Sequence, residues 1–229
     1  MTATVAPRRP HKRPPSGPVR RVVFLVGIAM ILVGLGFLSY CAWQFYGTNI
    51  VAKQKQADVR QSIAKSWDDG IDGDDIGLLR VKRFGSDYEM PIVEGFDDDA
   101  LASGVGWDPH SADPGEIGNF AIAGHRITHG EPFAKFPQLK KGDEVVVETR
   151  TEILTYVLRN AGTSITVDFS TSWPLQPVPE PDASGRRPTE AVLTMLTCSE
   201  LFHTRDRSVV IGDLVSEQDK RTGKTRTIG

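Results

Sequence analysis

The longest uninterrupted apolar stretch of the chain lies near its N-terminus. It runs from Val22 to Trp43, carries no charged residue and consists mainly of Val, Ile, Leu, Phe and Gly. As an α-helix, these 22 residues would be ~33 Å long, which is enough to cross the hydrocarbon core of a bilayer. The stretch is longer than the apolar region of a cleavable signal peptide, and it ends in an aromatic run, Tyr40 to Tyr46, typical of a membrane interface. We therefore predict an uncleaved transmembrane anchor.

A helical pattern follows this anchor. Val59, Ile63 and Trp67 recur every four residues among Lys, Gln and Arg, which predicts a helix with a narrow apolar stripe. Thr48 or Asn49 is placed to cap its N-terminus. We interpret this helix as a stalk, which either packs on the domain that follows or holds that domain away from the membrane. The sequence leaves both arrangements open.

The pattern then changes to short extended segments. The acidic run 68–75 lacks the alternating ligands and the closing Glu of a calcium loop, so we interpret it as a solvated linker. From Gly77 onward, runs rich in apolar and β-branched residues are bounded by Gly, Pro, Asp or Asn, which predicts an all-β barrel or sandwich. The predicted strands are Leu78–Phe84, Met90–Val93, Asn119–Ala123, Glu144–Glu148, Ile153–Val157, Ile165–Val167, Ala191–Thr197 and Ser208–Leu214. Between them, Trp173 to Pro188 holds five prolines and predicts a long loop of the kind that shapes binding sites.

The charges are distributed unevenly along the chain. Residues 1–21 carry no acidic residue and six basic ones: Arg8, Arg9, Lys12, Arg13, Arg20 and Arg21. The other 21 of the 27 basic residues accompany all 29 acidic ones, which gives the remainder a net charge of −8. Positive flanks stay in the cytoplasm, so we expect a disordered basic tail inside and residues 47–229 outside the cell. The acidic outer part argues against a nucleic-acid partner.

Cysteine usage points to a specific role for one thiol. The chain has two cysteines, of which Cys41 lies at the membrane boundary and Cys198 is the sole thiol of the outer part. No disulfide is therefore possible within the outer domain. A buried cysteine at a strand end is often an inert small apolar residue, so the assignment depends on what surrounds Cys198.

Three groups are needed for acyl transfer by a thiol: the thiolate, a proton donor for the leaving amine, and a positive group for the oxyanion. Cys198 ends the predicted strand Ala191–Thr197, and Arg207 begins the next one. Arg205 is an alternative to Arg207, because residues two apart on a strand face the same side. We favour Arg207, since it adjoins the apolar strand while Arg205 falls in the connection.

The preferred proton donor is His125, because it ends the predicted strand Asn119–Ala123 and barrels place reactive groups at strand ends. The remaining four of the five histidines lie in the basic tail, in polar loops or in a turn: His11, His110, His203 and His129.

Two sequence blocks carry these candidate residues. The first runs from Gly118 to Arg126 and continues through Thr128-His129-Gly130-Glu131-Pro132-Phe133, Leu139 and Gly142-Asp143-Glu144. The second is Leu193-Thr194-Met195-Leu196-Thr197-Cys198, followed by Arg207-Ser208-Val209-Val210. In this order, and behind an N-terminal anchor, the blocks resemble the histidine and cysteine regions of sortases, most closely the class E sortases of actinobacteria. The chain departs from the class E pattern at His129, Glu200 and Ser208.

The resemblance implies a fold and a domain organisation. The expected fold is a closed sortase-type β-barrel of about eight strands with short helices, preceded by one transmembrane helix and a stalk helix. The expected segments are a cytoplasmic tail at 1–21, the anchor at 22–43, the stalk and linker at 44–75, and the extracellular barrel at 76–229.

The resemblance also implies a reaction. Cys198 would be the nucleophile, His125 the general acid and base, and Arg207 the group that stabilises the oxyanion or the substrate carbonyl. Thr197 and His129 would contribute to binding. The implied substrates are surface proteins with a C-terminal sorting signal of the Leu-Pro-x-Thr-Gly or Leu-Ala-x-Thr-Gly type, the implied acceptor is an amine of a peptidoglycan precursor, and no metal or organic cofactor is required.

Two other classes of cysteine enzyme fit the order and spacing of these residues less well. An L,D-transpeptidase has its histidine close to its cysteine in sequence, whereas 73 positions separate His125 from Cys198 here. A papain-like peptidase has the opposite order, with Cys before His. A pilus-polymerising sortase and an inactive, membrane-tethered binding module remain as alternatives. The stretch Lys220 to Gly229 is polar and shows no second transmembrane helix, which favours wall anchoring over pilus assembly.

Overall fold

The computed structural model describes residues 17–70, 75–198 and 205–228, without the side chains of Phe45, Asp75 and Cys198. Several predicted features lie outside the described residues: most of the tail 1–21 with His11, the middle of the acidic linker, and Glu200 and His203. The chain divides into two compact units, Met1–Trp43 and Gln44–Gly229.

The first unit contains helix α1, Pro18–Ala42, in which Pro18 occupies the first turn, where its missing N–H costs no hydrogen bond. An 18-residue window of α1 has a mean hydropathy of 2.7, so the helix is long and apolar enough to cross a membrane. A short π-helix, Trp43–Gly47, follows.

The second unit begins with helix α2, Thr48–Asp68. The predicted N-terminal cap is wrong: the preceding residue, Gly47, already has helical angles, and no side chain caps the helix. The hydroxyl of Thr48 instead donates to the carbonyl of Gln44 at 2.5 Å, and the Asn49 side chain makes contacts outside the helix.

Within the described part of this unit, ten strands follow, together with one short helix. The strands are β1 (Asp75–Val81), β2 (Met90–Glu94), β3 (Val105–Trp107), β4 (Gly118–Ala123), β5 (Glu144–Glu148), β6 (Glu152–Leu158), β7 (Thr166–Asp168), β8 (Ala191–Cys198), β9 (Asp206–Asp219) and β10 (Thr225–Thr227). Helix α3, Asp98–Ser103, lies between β2 and β3. Single 3-10 turns occupy Lys82–Phe84, Phe136–Gln138 and Trp173–Leu175.

Eight of these strands form a closed ring, which confirms the expected sortase-type barrel. The order around the ring is β9-β6-β5-β1-β2-β3-β4-β8, and β8 pairs with β9 to close it. The two remaining strands, β7 and β10, each pair with β9 outside this ring. Most neighbours are antiparallel, but β2 with β3 and β4 with β8 are parallel.

The alternation of apolar residues fixes which side of each strand faces the barrel interior. On β5, Val145 and Val147 are buried and lie opposite Tyr156 and Leu154 of β6. On the other side of β5, Leu79 of β1 lies opposite Val147. Residues with a period of two thus form continuous interior rows across neighbouring strands, as expected for a half-buried sheet.

Helix α2 packs on the barrel, which decides between the two arrangements that the sequence left open. Its buried residues are Ala52, Gln56 and Ile63. Around them, Lys55 forms an ion pair with Asp99 at 2.7 Å. At the far end of the helix, the Lys220 ammonium lies 4.1 Å from the centre of the Trp67 ring, a cation–π contact. The stalk is therefore part of the globular unit.

Several elements differ from the sequence-based expectation. Strands β3 and β10 and helix α3 were not predicted: each is at most six residues long, and β3 and β10 lack the apolar, β-branched run that revealed the equally short β7. Strand β1 ends at Val81 rather than Phe84, since the chain turns there in a 3-10 helix that buries Phe84. Strand β9 is 14 residues long, twice the predicted segment. The predicted loop Trp173–Pro188 has no regular element beyond its first 3-10 turn.

An ion pair joins the turn after β1 to the start of β5 and gives a prediction for the pH dependence of stability. Arg83 donates two hydrogen bonds to the Asp143 carboxylate, one of them at 2.5 Å, and the Lys140 N–H donates a third at 2.9 Å. The hydrogen bonds from the Arg83 guanidinium lower the pKa of Asp143 below its ordinary 3.8. This stabilisation is present above the unfolded-state pKa and is lost as the pH falls through the lower folded-state pKa.

We expect Asp143→Asn to lower the free energy of unfolding by about 1 kcal/mol or less at neutral pH. The asparagine keeps one acceptor oxygen, which the Lys140 N–H and one Arg83 N–H share, and it loses the charge and the second hydrogen bond from Arg83. The difference between wild type and variant should therefore shrink below about pH 4. Urea unfolding between about pH 7 and about pH 2 measures it, and a difference that stays constant over this range would contradict the assignment.

Candidate active site

Strand pairing brings the candidate residues to one edge of the barrel. Strands β4 and β8 are parallel and in register from Gly118 opposite Ala191 to Ala123 opposite Leu196. Their C-terminal ends therefore meet at the same edge, where β4 leads into His125 and β8 ends at Cys198. Strand β9 is antiparallel to β8, and its register sets Arg207 directly opposite Cys198. Three segments that are distant in sequence converge here at the level of the backbone.

Two hydrogen bonds extend the β4–β8 pairing beyond the strand end. The Gly124 N–H donates to the carbonyl of Leu196 at 3.1 Å. The Thr197 hydroxyl donates to the carbonyl of Gly124 at 2.8 Å, and Thr197 is buried. These contacts fix the residue before His125 against the residue before Cys198.

The glycine at position 124 is required by close packing. A Cβ at this position would lie 2.8 Å from the ring of Phe133, which is itself fully buried. Phe133 also donates its N–H to the carbonyl of His125 at 2.9 Å. The chain on both sides of His125 is thus held by backbone hydrogen bonds and by an aromatic ring of the core.

His125 and His129 lie against each other. Their ring centroids are 4.5 Å apart with an angle of 26° between the planes, which is a stacked arrangement. The Nδ1 atom of His129 also lies 3.1 Å from the Thr128 hydroxyl. The sequence predicted His129 in a turn, and the structure brings its ring to His125 because the chain reverses between the two residues.

The two candidate arginines have different surroundings. Arg205 lies just before β9, forms an ion pair with Asp168 at 3.3 Å and has its guanidinium 4.6 Å from the centre of the Phe169 ring. Its side chain is 72% exposed. Arg207 is half-buried, donates to the carbonyl of Asp206 at 3.1 Å and borders the cavity described next. This contrast agrees with the preference for Arg207.

A cavity of about 390 Å³ lies at this edge of the barrel. His125, Thr197 and Arg207 are among its lining residues, together with the acidic residues Asp98 and Asp168. Its apolar wall comes from several elements: Phe96, Leu101, Ile127, Val167, Phe169, Leu175 and Leu196. The cavity therefore combines an apolar surface with polar groups at the strand ends, as binding sites commonly do.

The proline-rich loop contributes less to this cavity than expected. Its 3-10 turn supplies Leu175, and the carbonyls of Pro174 and Gln176 accept hydrogen bonds from the Asn119 side chain at 2.8 and 2.9 Å. The later part of the loop lines a different cavity of about 290 Å³ that includes Arg159. The loop thus shapes the candidate site only through its first turn.

Other candidate groups lie elsewhere. His110 is 92% exposed, and its Nδ1 atom is 3.2 Å from Asp108. Among residues 17–70, 75–198 and 205–228, no group of three or more His, Cys, Asp or Glu side chains is placed to hold a metal ion. Phe96 and Asp98 of the cavity were not singled out from the sequence. The only local signal near them is Asp97, whose side chain accepts from the N–H groups of Asp99 and Ala100 and caps α3.

Comparisons with known proteins agree with this architecture. A family model described as the sortase domain matches residues 79–215. Sortase SrtE1 of Streptomyces coelicolor is 29% identical over 214 residues, which cover 87% of this chain and 59% of that protein. The chain thus spans less than two thirds of the length of this relative.

Two solved structures are also similar. The sortase E structure from Streptomyces avermitilis is 33% identical, with a TM-score of 0.57, and covers 66% of this chain and 93% of its own. The structure of sortase E1 from Streptomyces coelicolor with a tripeptide in the active site is 32% identical, with a TM-score of 0.56 and the same coverage. These relatives confirm the class E resemblance.

Two buried threonines of β8 give a matched test of the contact between the strand ends. Thr197 donates to Gly124, whereas the hydroxyl of Thr194 has no hydrogen-bond partner among the described residues. We expect Thr197→Val to lower the free energy of unfolding by about 1–3 kcal/mol, because a buried carbonyl loses its donor. Thr194→Val replaces an unbonded hydroxyl by a methyl group and should be neutral or stabilising. Chemical denaturation measures both, and equal losses would contradict the role of the Thr197 hydrogen bond.

Proposed function

Because the chain belongs to the sortase family, whose members are cysteine transpeptidases, we propose that it is a membrane-anchored transpeptidase with Cys198, His125 and Arg207 as its catalytic residues. The observation that supports this most directly is the register of three strands. It brings the ends of β4 and β8 and the start of β9 to one edge beside a cavity with an apolar wall. Each strand end carries one of the three groups that thiol acyl transfer needs.

In the first step, the Cys198 thiolate attacks the carbonyl carbon of the scissile peptide bond. A C–S bond forms and the carbonyl electrons move to the oxygen, which gives a tetrahedral oxyanion. The electrons return, the C–N bond breaks, and His125 in its protonated form gives its proton to the leaving amine. The products are a thioacyl enzyme and the released C-terminal fragment of the substrate.

In the second step, an acceptor amine attacks the thioacyl carbon. His125, now neutral, takes the proton from the attacking nitrogen, a C–N bond forms, and the C–S bond breaks to restore the thiolate. No oxidant, metal ion or organic cofactor is needed to balance either step. Water in place of the amine would give hydrolysis.

Arg207 stabilises the negative charge that both steps place on the carbonyl oxygen. It lies opposite Cys198 in the β8–β9 pairing and borders the cavity. The N–H donors of a guanidinium lie in a fixed plane. An arginine on a strand therefore has its donors in place before the substrate binds. Arg205 instead contacts Asp168 and Phe169 at the border of the cavity and is not itself a lining residue.

The proposed substrate is a surface protein with a C-terminal sorting signal of the Leu-Pro-x-Thr-Gly or Leu-Ala-x-Thr-Gly type. The apolar wall formed by residues such as Phe96, Leu101 and Ile127 suits the apolar side chains of such a signal. A tripeptide occupies the active site of the related sortase E1 structure. For the acceptor we propose an amine of a peptidoglycan precursor, which would fix the surface protein to the cell wall.

We further propose that α1 crosses the bilayer once. The mean hydropathy of 2.7 and the basic residues Arg20 and Arg21 at its start support an N-terminus in the cytoplasm and a catalytic domain outside. Under this proposal, segment 1–21 is the cytoplasmic tail and 44–75 joins the anchor to the barrel.

The central experiment is product analysis by mass spectrometry. The full-length protein in detergent is incubated with a library of sorting-signal peptides and with amine acceptors. We expect cleavage of the peptide bond that precedes the glycine of the sorting motif, and a transpeptidation product with a wall-precursor amine. A product formed only with a pilin lysine side chain would favour pilus assembly, and a protein that releases no product from any peptide would be a binding module.

Cys198→Ala removes the proposed nucleophile and should abolish both cleavage and the thioacyl adduct. The loss should reach the detection limit, since the other cysteine of the chain, Cys41, belongs to helix α1. The variant should keep the wild-type melting temperature within a few degrees, which differential scanning calorimetry checks. Residual turnover by a folded Cys198→Ala variant would exclude the thiol mechanism.

Arg207→Ala should reduce kcat about 10²- to 10³-fold, the usual effect of removing an oxyanion donor. Arg205→Ala is the matched control, because it removes the same side chain two positions away and breaks an exposed ion pair with Asp168 and a contact with the Phe169 ring. Its kcat should change by less than about twofold. Steady-state kinetics with one peptide and one acceptor compare the two variants, and equal losses would contradict the assignment of Arg207.

A further inference from the structure

The loop that follows His125 has a backbone conformation that isolated residues avoid. His129, Gly130 and Glu131 have φ angles of 52°, 82° and 56°, so three consecutive residues lie in the left-handed region. For the two residues that are not glycine, this conformation is strained, and it persists only where neighbouring structure holds it. Contacts with neighbouring elements must therefore hold this loop in its conformation.

Helix α2 contacts all three residues through two amide side chains. The Gln56 side chain donates to the carbonyl of His129 at 3.0 Å. The Asn49 side chain accepts from the N–H of Gly130 at 2.9 Å and donates to the carboxylate of Glu131 at 2.9 Å. Asn49 and Gln56 are seven residues apart, which places them two turns apart on the same face of the helix.

The packing between α2 and this loop is close. Gln56 is only 3% exposed, although its side chain is polar. A Cβ at position 130 would lie 2.4 Å from the Nε2 atom of Gln56. The glycine thus meets two requirements at once, since it adopts a positive φ and leaves room for the buried amide.

The opposite side of the loop faces the candidate site. The His129 ring stacks on His125 at a centroid distance of 4.5 Å. A displacement of the His129 backbone therefore changes the surroundings of the proposed acid and base. The end of the loop has its own supports, because Tyr88 donates its hydroxyl to the carbonyl of Pro132 at 2.9 Å and Phe133 bonds to His125. Losing the α2 contacts should thus shift residues 129–131 without unfolding the whole loop.

We propose that Asn49 and Gln56 are positioning residues: through the 129–131 loop they hold the His129 ring against His125 and so link the helix after the membrane anchor to the active site. This inference rests on the proposed role of His125. It assigns a function to α2 beyond that of a spacer, because two residues in the N-terminal half of the helix determine the geometry of the histidine pair.

The kinetic test uses single substitutions in the full-length protein. Asn49→Ala and Gln56→Ala should each lower kcat about fivefold, because the loop loses the hydrogen bonds of the deleted amide, with KM changed by less than about twofold. Gln54→Ala is the matched control, because Gln54 is an exposed glutamine on the same helix. Lys55→Ala is a second control, since it removes the ion pair of α2 with Asp99 and leaves the loop contacts in place.

A reciprocal pair of substitutions tests the hydrogen bond itself. Asn49→Asp keeps the acceptor for the Gly130 N–H but sets a second carboxylate against Glu131, so kcat should fall as in Asn49→Ala. Adding Glu131→Gln reverses donor and acceptor and restores the bond, and kcat should return to within about twofold of wild type. A double variant that is no better than Asn49→Asp would contradict the positioning role.

A spectroscopic readout separates this inference from the proposed reaction. With 13C-labelled histidine, the ring signals of His125 and His129 should shift in Asn49→Ala and Gln56→Ala but not in Gln54→Ala. The signal of exposed His110 is an internal reference that should stay fixed. Signals that match those of the Gln54→Ala protein would overturn the inference. If the signals move while the wild-type protein forms no product from any peptide, the positioning role stands and the transpeptidase proposal fails.

Discussion

The parallel pairing of β4 with β8 is the constraint on which the site depends. In a barrel of mostly antiparallel strands, a parallel pair sends two chain ends to the same edge, so the segments after β4 and at the end of β8 meet although 73 positions separate His125 from Cys198. The antiparallel β9 then returns from that edge and begins with Arg207. The convergence is a property of topology and register, and it needs no special conformation of the strands themselves.

Around this edge, the contacts that hold the chain are mostly made by backbone and by buried polar side chains. Thr197 and Asn119 are both buried and both donate to backbone carbonyls, one to Gly124 and the other to the turn that carries Leu175. A buried donor or acceptor without a partner destabilises the folded state. These hydrogen bonds therefore restrict the loops to one arrangement. The result is a cavity whose lining comes from separate loops held by the same barrel.

The strands in which apolar and polar residues alternate could be predicted from the sequence, whereas the closely packed polar contacts could not. Strands β5 and β6 matched their predictions almost residue for residue, because Val145, Val147, Leu154 and Tyr156 alternate with polar residues. The choice of Cys198, His125 and Arg207 as the proposed catalytic residues rested on strand ends and on the family resemblance. In contrast, the sequence suggested only a helix cap for Asn49 and no role for Gln56, and the apolar stripe through Ile63 gave no indication that amide groups bind the barrel. Pairing partners of polar side chains depend on tertiary contacts, which a single sequence does not display.

The length of β9 has a consequence for how the protein acquires activity. This strand pairs with β8 along residues 207–213 and with β6 along residues 212–219, so one late segment completes the ring. The pairing of β8 with β9 joins neighbouring segments, whereas the pairing of β6 with β9 joins distant ones and forms more slowly, because a longer loop must close first. Arg207 is nine residues from Cys198, so pairing of β8 with β9 brings the two backbones together before the ring is closed. Catalytic competence then waits for the more distant pairing of β4 with β8, which brings His125 to the same edge.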